Sequence, residues 1–330
     1  MSTAETATAR AEALDALTGA DSVVLATHEH PDGDAIGSLL ALGWLLESLG
    51  KDVEVHIGPE DLPMPYEYDW LDVSAVTTAV PEDLPERTVV LLDCGNAERC
   101  SLFAPDAIPT TLVNIDHHHD NTAFGSVNYV DSDASCTAEI VWDLIGDLGA
   151  ELTPRVAEAL YVGLVTDTGR FMYSNTDPRS HRMAEELLAT GIDHNLIYRR
   201  IYERLPGAKL KLFARGLSAV QRPLDGALTI SFLTAADFEE TGASSDHTEG
   251  IVDFLRAVDG TRVAALVREL GDSAPGEWRV SLRSSDGAID VSRIAREGGG
   301  GGHAAAAGFR TTMAPDELLV FLGEQVAEQQ

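Results

Sequence analysis

Four short apolar runs in the first half of this chain each stop at acidic or imidazole side chains. SVVLAT precedes His28, Asp32 and Asp34; VVLL precedes Asp93; LVNI precedes Asp116, His117 and His118; and YVGLVT precedes Asp167. Short β-type runs read as buried strands. Strands laid parallel carry their following loops to one rim of the sheet, where residues distant in sequence converge. The last run begins helical and finishes in Thr-Asp-Thr-Gly, but its acid falls in the same pattern.

Helical periodicity separates these runs. Ala35 to Leu49 follows the first and ends at Gly50; Asp52 to Ile57 then reads as a strand, and helices are expected over Thr137 to Leu148 and Pro154 to Val165. This alternation predicts an α/β fold with a doubly wound parallel sheet. Near Gly191 the texture changes to arginine-rich helix formers broken at Pro206-Gly207, and from Gly226 strand-like runs return (ALTISFL, TRVAALVRE, EWRVSLRS). Helices are expected between them at Ile251 to Ala257 and Val291 to Arg296. The expected organisation is a catalytic domain over 1–190, linker helices over 191–220, and a smaller α+β substrate-binding domain over 221–330, a usual domain size.

Charge narrows the partners. The net charge of −31, with only three lysines (Lys51, Lys209 and Lys211), argues against a broad basic face for duplex DNA. Apolar stretches stay short of the ~20 residues a membrane-spanning helix needs. The acidic, Ala-rich first twenty residues read as a helix and lack the basic start and apolar middle of a signal peptide. Cys94, Cys100 and Cys136 follow neither disulfide-framework nor zinc spacing. They fit reduced thiols in a cytoplasmic protein.

The chemistry lies in the clusters. Asp32 and Asp34 are two residues apart, so they project similarly from an extended loop; one could cap the helix that follows, but two aspartates plus His28 exceed what a cap requires. His30 lacks the matching spacing and reads as a bystander. Asp93 at the end of an apolar strand costs desolvation unless it is paired or metal-bound; alone it could equally form a turn. His117 and His118 can divide roles, one on metal and one on substrate, with Asp116 orienting an imidazole from behind. Phe171, Tyr173, Asn175 and Thr176, downstream of Asp167, are candidates to line a base or ribose pocket, or are ordinary core and turn residues. Carboxylates and imidazoles without cysteine suit hard to borderline ions, manganese or magnesium. An acid-rich two-metal site, with ions about 3.5–4 Å apart, serves phosphoryl transfer. In the second half, Arg283 supplies forked phosphate donors. The glycine run ending at His303 lets backbone amides approach an anion.

The order His-x-x-x-Asp-x-Asp, Asp, Asp-His-His, Asp and a distal Gly-Gly-Gly-His resembles the DHH phosphoesterase family with its DHH-associated C-terminal domain. The resemblance spans roughly residues 15–325 and is strongest to the oligoribonuclease and pAp phosphatase subgroup, in the segments THEHPDGDAIGS, DTGRFMYSNT, EGIVDFLRAVDG and DVSRIAREGGGGGHAAAAGF. It implies that His28 and Asp32 bind one of two Mn2+ ions (Mg2+ being the alternative), that Asp34, His117 and Asp167 bind the other, and that Asp93 bridges them. His118, supported by Asp116, would act on the scissile phosphate. Arg283, Gly301, Gly302 and His303 would hold the far phosphate or terminal nucleotide. The implied substrates are short RNA oligonucleotides and pAp, with pApA and cyclic dinucleotides beside them; a homodimer is expected from the family alone. Two positions depart from the family pattern: Gly298, where a large apolar residue is usual, and Ala304, where a basic one is common.

Two other readings stand beside this one. An inorganic pyrophosphatase or exopolyphosphatase would share the catalytic half, against which the glycine loop and VSLRSS favour a nucleotidyl substrate. A non-catalytic nucleotide-binding regulator would be marked by a missing ligand, and every expected ligand is present.

Overall fold

The computed structural model describes residues 3–100, 102, 109–271, 274–285 and 287–329. The chain divides into two compact units, 1–204 and 205–330. In the first, the described strands are β1 (Ser22–Ala26), β2 (Asp52–His56), β3 (Val76–Thr77), β4 (Thr88–Leu92), β5 (Thr111–Asp116) and β6 (Val127–Val130). They form one sheet in the order β3-β2-β1-β4-β5-β6, and every pairing is parallel. Strand order reverses beside β1, so β1 and β4 flank the switch point of a doubly wound α/β sheet. There the loops diverge to either side and leave a crevice beyond the carboxyl ends.

One face of this sheet is covered by α1 (Thr3–Gly19), α2 (Gly33–Ser48), α3 (Thr137–Leu148) and α4 (Pro154–Asp167). Leu25, Val90, Val113 and Ile115 from the strands join Leu39, Leu42, Ile140 and Leu160 in a single core. The opposite face carries Val24, Val89 and Leu91 against Leu84, Cys94, Cys100 and Leu102, so the described cover there comes from the segments on either side of β4. Helices α2 and α4 approach closely because Gly163 lacks a side chain: a Cβ there would sit 2.7 Å from Asp34 Oδ1 and 2.7 Å from the Ala138 Cβ. After α5 (Pro178–Ala189), helix α6 (His194–Tyr202) buries Ile197 and Ile201 in the same core.

The second unit begins with α7 (Gly207–Ser218), so the stretch expected as a connector is shared between the units. Its strands are β7 (Leu228–Leu233), β8 (Val263–Glu269), β9 (Trp278–Ser284), β10 (Gly301–Gly302) and β11 (Ala306–Thr311), ordered β10-β11-β9-β8-β7. Only β7 and β8 pair in parallel; the other described pairings are antiparallel. Helices α10 (Val291–Glu297) and α11 (Pro315–Ala327) pack Ile294, Leu318 and Leu322 on one face against Val280, Leu282 and Phe309. The other face of β8 lies under α7 and α9 (Ile251–Arg256) through Leu212, Ile251 and Leu255, with Phe238 of α8 (Ala235–Thr241) at the margin. Among the described residues, no helix is long and apolar enough to cross a membrane.

Candidate metal centre

Three of the four clusters lie at the carboxyl ends of β1, β4 and β5: Asp34 is already in the first turn of α2, and Asp116 is the last residue of β5. The fourth does not follow a strand: Asp167 is the last residue of α4. Thr153 caps that helix through the Val156 amide and Pro154 opens it, so the helix runs unbroken over Tyr161 to Thr166 and delivers Asp167 from its C-terminus. The apolar run there is one buried helix face.

Asp93 lies at the centre. Its backbone is in the left-handed region (φ 56°), an uncommon conformation that aspartate tolerates better than most residues. Its two carboxylate oxygens face different partners. His28 Nε2 lies 3.5 Å from Oδ2, while His117 Nε2 and His118 Nδ1 each lie 3.6 Å from Oδ1. The Thr137 hydroxyl also donates to Oδ1 at 2.9 Å. Burial opposes the charge on Asp93, but the hydrogen bond to His28 and the charges of His117 and His118 win, holding its carboxyl at about 2.

Two groups of donor atoms share this residue, His28, Asp32 and Asp93 on one side and Asp93, His117 and His118 on the other, each with atoms within 4.8 Å of one another. His117 Nε2 is also 3.9 Å from Asp167 Oδ2. Asp167 is pushed up to about 6, first by burial and then by the charges of Asp93 and Asp32, despite the opposing imidazoles. Asp34, fully buried, rises well above the carboxylate range through burial and the same neighbours. So many carboxylates gathered with so little positive charge is costly unless cations neutralise them. The donor set therefore fits divalent ions.

Both readings of the aspartate pair hold together. Asp32 Oδ1 caps α2 by accepting from the Asp34 and Ala35 amides at 3.0 and 3.1 Å, which leaves Oδ2 for a ligand. Asp34 is held from across the site, where the first amides of α3 donate to it: Thr137 N at 2.6 Å and Ala138 N at 2.9 Å. His30 projects outward with its side chain 82% exposed, its amide and ring bonded to the buried Asp61. It pins the loop and faces away from the centre.

Asp116 lies fully buried behind His118, whose Nδ1 donates to Asp116 Oδ1 at 2.8 Å. That bond raises His118 to about 9, against the effect of burial. Because a carboxylate only accepts, Nδ1 carries the proton and Nε2 is the nitrogen left to face outward. Asp116 is itself clamped by Asn121 Nδ2 at 2.5 Å. Thr137 and Arg99 reach the centre without a local sequence signal, and Asn175, one of the pocket candidates after Asp167, joins them there. Thr137 touches two candidate ligands, Asn175 Nδ2 donates to Asp167 Oδ2 at 3.1 Å, and the Arg99 guanidinium lies 3.2 Å from His28 Nδ1. Phe171 stacks on His181 with ring centroids 4.9 Å apart, and lines a cavity of about 230 Å³ with Tyr161, Arg170 and Tyr198.

In the second unit, Arg283 is half-buried on β9, its guanidinium 3.9 Å from Asp253. Gly301, Gly302 and His303 form an exposed hairpin against β11. Gly302 has φ 135°, and a Cβ there would meet the Ala307 Cα at 2.5 Å, so this turn admits only glycine. The departure at Gly298 has a steric counterpart: a Cβ at 298 would lie 2.5 Å from the Phe309 ring, which fills the space beside it.

This combination of a parallel sheet with a His/Asp centre on its rim and a second mixed-sheet unit with a glycine hairpin defines the class. Residues 22–164 match the DHH family, N-terminal domain, and residues 225–328 match the DHHA1 domain. The chain belongs to the DHH family. It is 35% identical over 300 residues, 90% of this chain and 86% of the other, to the bifunctional oligoribonuclease and PAP phosphatase NrnA of Thermus thermophilus. Among solved structures it resembles an exopolyphosphatase-related protein from Bacteroides fragilis, with a TM-score of 0.87, 24% identity and coverage of 98% and 96% of the two chains. It also shares its fold with RecJ from Thermus thermophilus in complex with Mn2+, at TM-score 0.55 and 15% identity, over 98% of this chain and 54% of that one.

Proposed function

We propose that this chain is a phosphoesterase that hydrolyses short oligoribonucleotides to mononucleotides and removes the 3′-phosphate of pAp, with pApA and cyclic dinucleotides as further substrates. The single observation that carries the reading is the pair of Asp93 oxygens, one toward His28 and the other toward His117 and Thr137. A carboxylate so placed suits two ions at once. His28 and Asp32 would hold one divalent ion and Asp34, His117 and Asp167 the other, with Asp93 shared. Manganese suits the oxygen- and imidazole-rich donor set, and magnesium is the alternative. Bound there, the ions would supply a hydroxide at neutral pH and neutralise charge on the phosphate oxygens.

The chain's own residues do the rest. Asp116 fixes His118 so that its Nε2 points outward and, when protonated, donates to a phosphoryl oxygen as negative charge builds on it. In the second unit, Arg283 and the backbone of Gly301 and Gly302, with His303, take the substrate's far phosphate or terminal nucleotide. The net charge of −31 supports small anions or single strands over duplex DNA. Buried, unpaired Cys94, Cys100 and Cys136 support work in the cytoplasm.

The test incubates purified protein and Mn2+ with pAp, pApA, RNA of two to ten nucleotides, a cyclic dinucleotide and pyrophosphate. AMP from pAp and mononucleotides from short RNA are expected, and chelation should abolish both. Phosphate released from pyrophosphate alone would overturn the nucleotidyl reading.

A further inference from the structure

The second sheet carries a row of positive charge apart from Arg283. Arg279 on β9 lies directly opposite Arg268 on β8 and Arg310 on β11. The three guanidinium groups therefore stand on one face of three adjacent strands, about 4.8 Å from strand to strand. Like charges directly opposite one another destabilise a sheet. Among the described residues none of the three sits within ion-pair distance of a carboxylate, although Asp246 lies close enough to act on Arg268. Burial and the charges of Arg279 and Arg310 together lower Arg268, against the pull of Asp246. In a chain of net charge −31 with 54 acidic residues, three adjacent arginines held without a paired carboxylate call for an anion from outside.

The same face supplies the approach. Along β9, Arg279, Ser281 and Arg283 alternate with buried Val280, Leu282 and Ser284. Beside Ser281 on β11 is Gly308, and beside that Gly301 of the glycine hairpin. Small residues thus floor the strip on β9, β11 and β10, while on the β8 side Leu266, opposite Ser281, is buried under α7 and α9. At 3.3 Å per residue the row stands about 13 Å from Arg283, too far for one phosphate to touch both.

We propose that Arg268, Arg279 and Arg310 bind the phosphodiester backbone of a single-stranded oligonucleotide beyond the nucleotide held at Arg283, making this sheet face a length-sensing extension of the substrate site. The proposal rests on the nucleotidyl reading of Arg283 and the glycine hairpin. A chain of phosphates matches it better than an acidic peptide because a repeating anion can meet both the row and Arg283 while its backbone lies on Ser281 and Gly308.

The experiment uses the full chain and the exposed pair, Arg279→Ala with Arg310→Ala, after a thermal melt shows parent-like folding. Binding of a labelled five-nucleotide RNA in EDTA is followed by anisotropy across a salt series. The double variant should bind it roughly tenfold more weakly. Its slope of log affinity against log salt should shrink by about 1.4, about 0.7 for each single-strand phosphate that is no longer neutralised. The matching lysine pair should keep the slope. With Mn2+, the ratio of kcat/KM for the five-nucleotide RNA over a dinucleotide should fall by a similar factor. An unchanged affinity and slope, no RNA binding by the parent, or equal competition by a decaglutamate peptide would each overturn the proposal. A parent that binds the RNA but turns over no nucleotide would sink the functional reading instead, while the EDTA titration still decides the arginine row.

Discussion

The rim of the first sheet and the glycine hairpin of the second hold their candidate groups by opposite means. At the rim the groups are side chains, largely buried, and clamped by neighbours: Asp116 by Asn121, Asp34 by the start of α3, and Asp93 by Thr137. The hairpin offers mostly backbone, exposed to solvent, shaped by a glycine at φ 135°. A site made of interlocked side chains loses its chemistry when one is removed. A site made of amides and one arginine loses affinity in steps.

Substitutions can break that contrast. The largest effect is expected for Asp93→Asn, which should lower kcat by roughly 10³-fold or more in a protein that still folds, with a lower thermal midpoint, because the imidazoles of His28, His117 and His118 favour the charge that the amide removes. Near-parental turnover would remove Asp93 from the centre. Next, Asp116→Asn leaves the shape but takes away the carboxylate that orients His118. A loss of about 10–100-fold in kcat is expected, with bound metal, measured by elemental analysis, unchanged; a drop in bound metal would make Asp116 a ligand instead. Arg283→Ala should cost about tenfold in kcat/KM, on the scale of one charge-assisted hydrogen bond. It should do so on nucleotides and much less on bis(p-nitrophenyl) phosphate. Equal loss on both would count against a substrate-holding role. The smallest change should come from Ala304→Lys, which restores the basic residue common after the histidine on an exposed position of the hairpin. A fall of about two- to threefold in KM for pAp is expected, within the small contribution of an exposed charge pair. A rise in KM would show that this edge of the hairpin does not face phosphate.

Much of the first unit is legible because its signals are local. Buried β-runs ending in acid, a helix opened by Asp32 and another opened by Thr153-Pro154 follow from neighbouring residues. The convergence of His28, Asp93 and His117 follows from strand order once the sheet is parallel. What escapes the sequence depends on distant pairing. The helix that carries Asp167 is legible as far as Val165, but its last turn, in an apolar run of β-type letters, reads like the end of a strand. The two-residue β3 and the β6 pairing are too brief to stand out. Thr137 and Arg99 reach the site only through tertiary contacts, so no spacing marks them. The arginine row is invisible in the same way: positions 268, 279 and 310 become neighbours only through strand register. Gly298 is understood only beside Phe309, eleven positions later and packed against it.

Thr137 joins two candidate ligands in one residue: its amide holds Asp34 and its hydroxyl holds Asp93, at 2.6 and 2.9 Å. The spacing between those carboxylates is thus gauged by the covalent geometry of a single residue, as two instruments bolted to one bracket keep their alignment when the bench moves. A drift of α3 would carry both together.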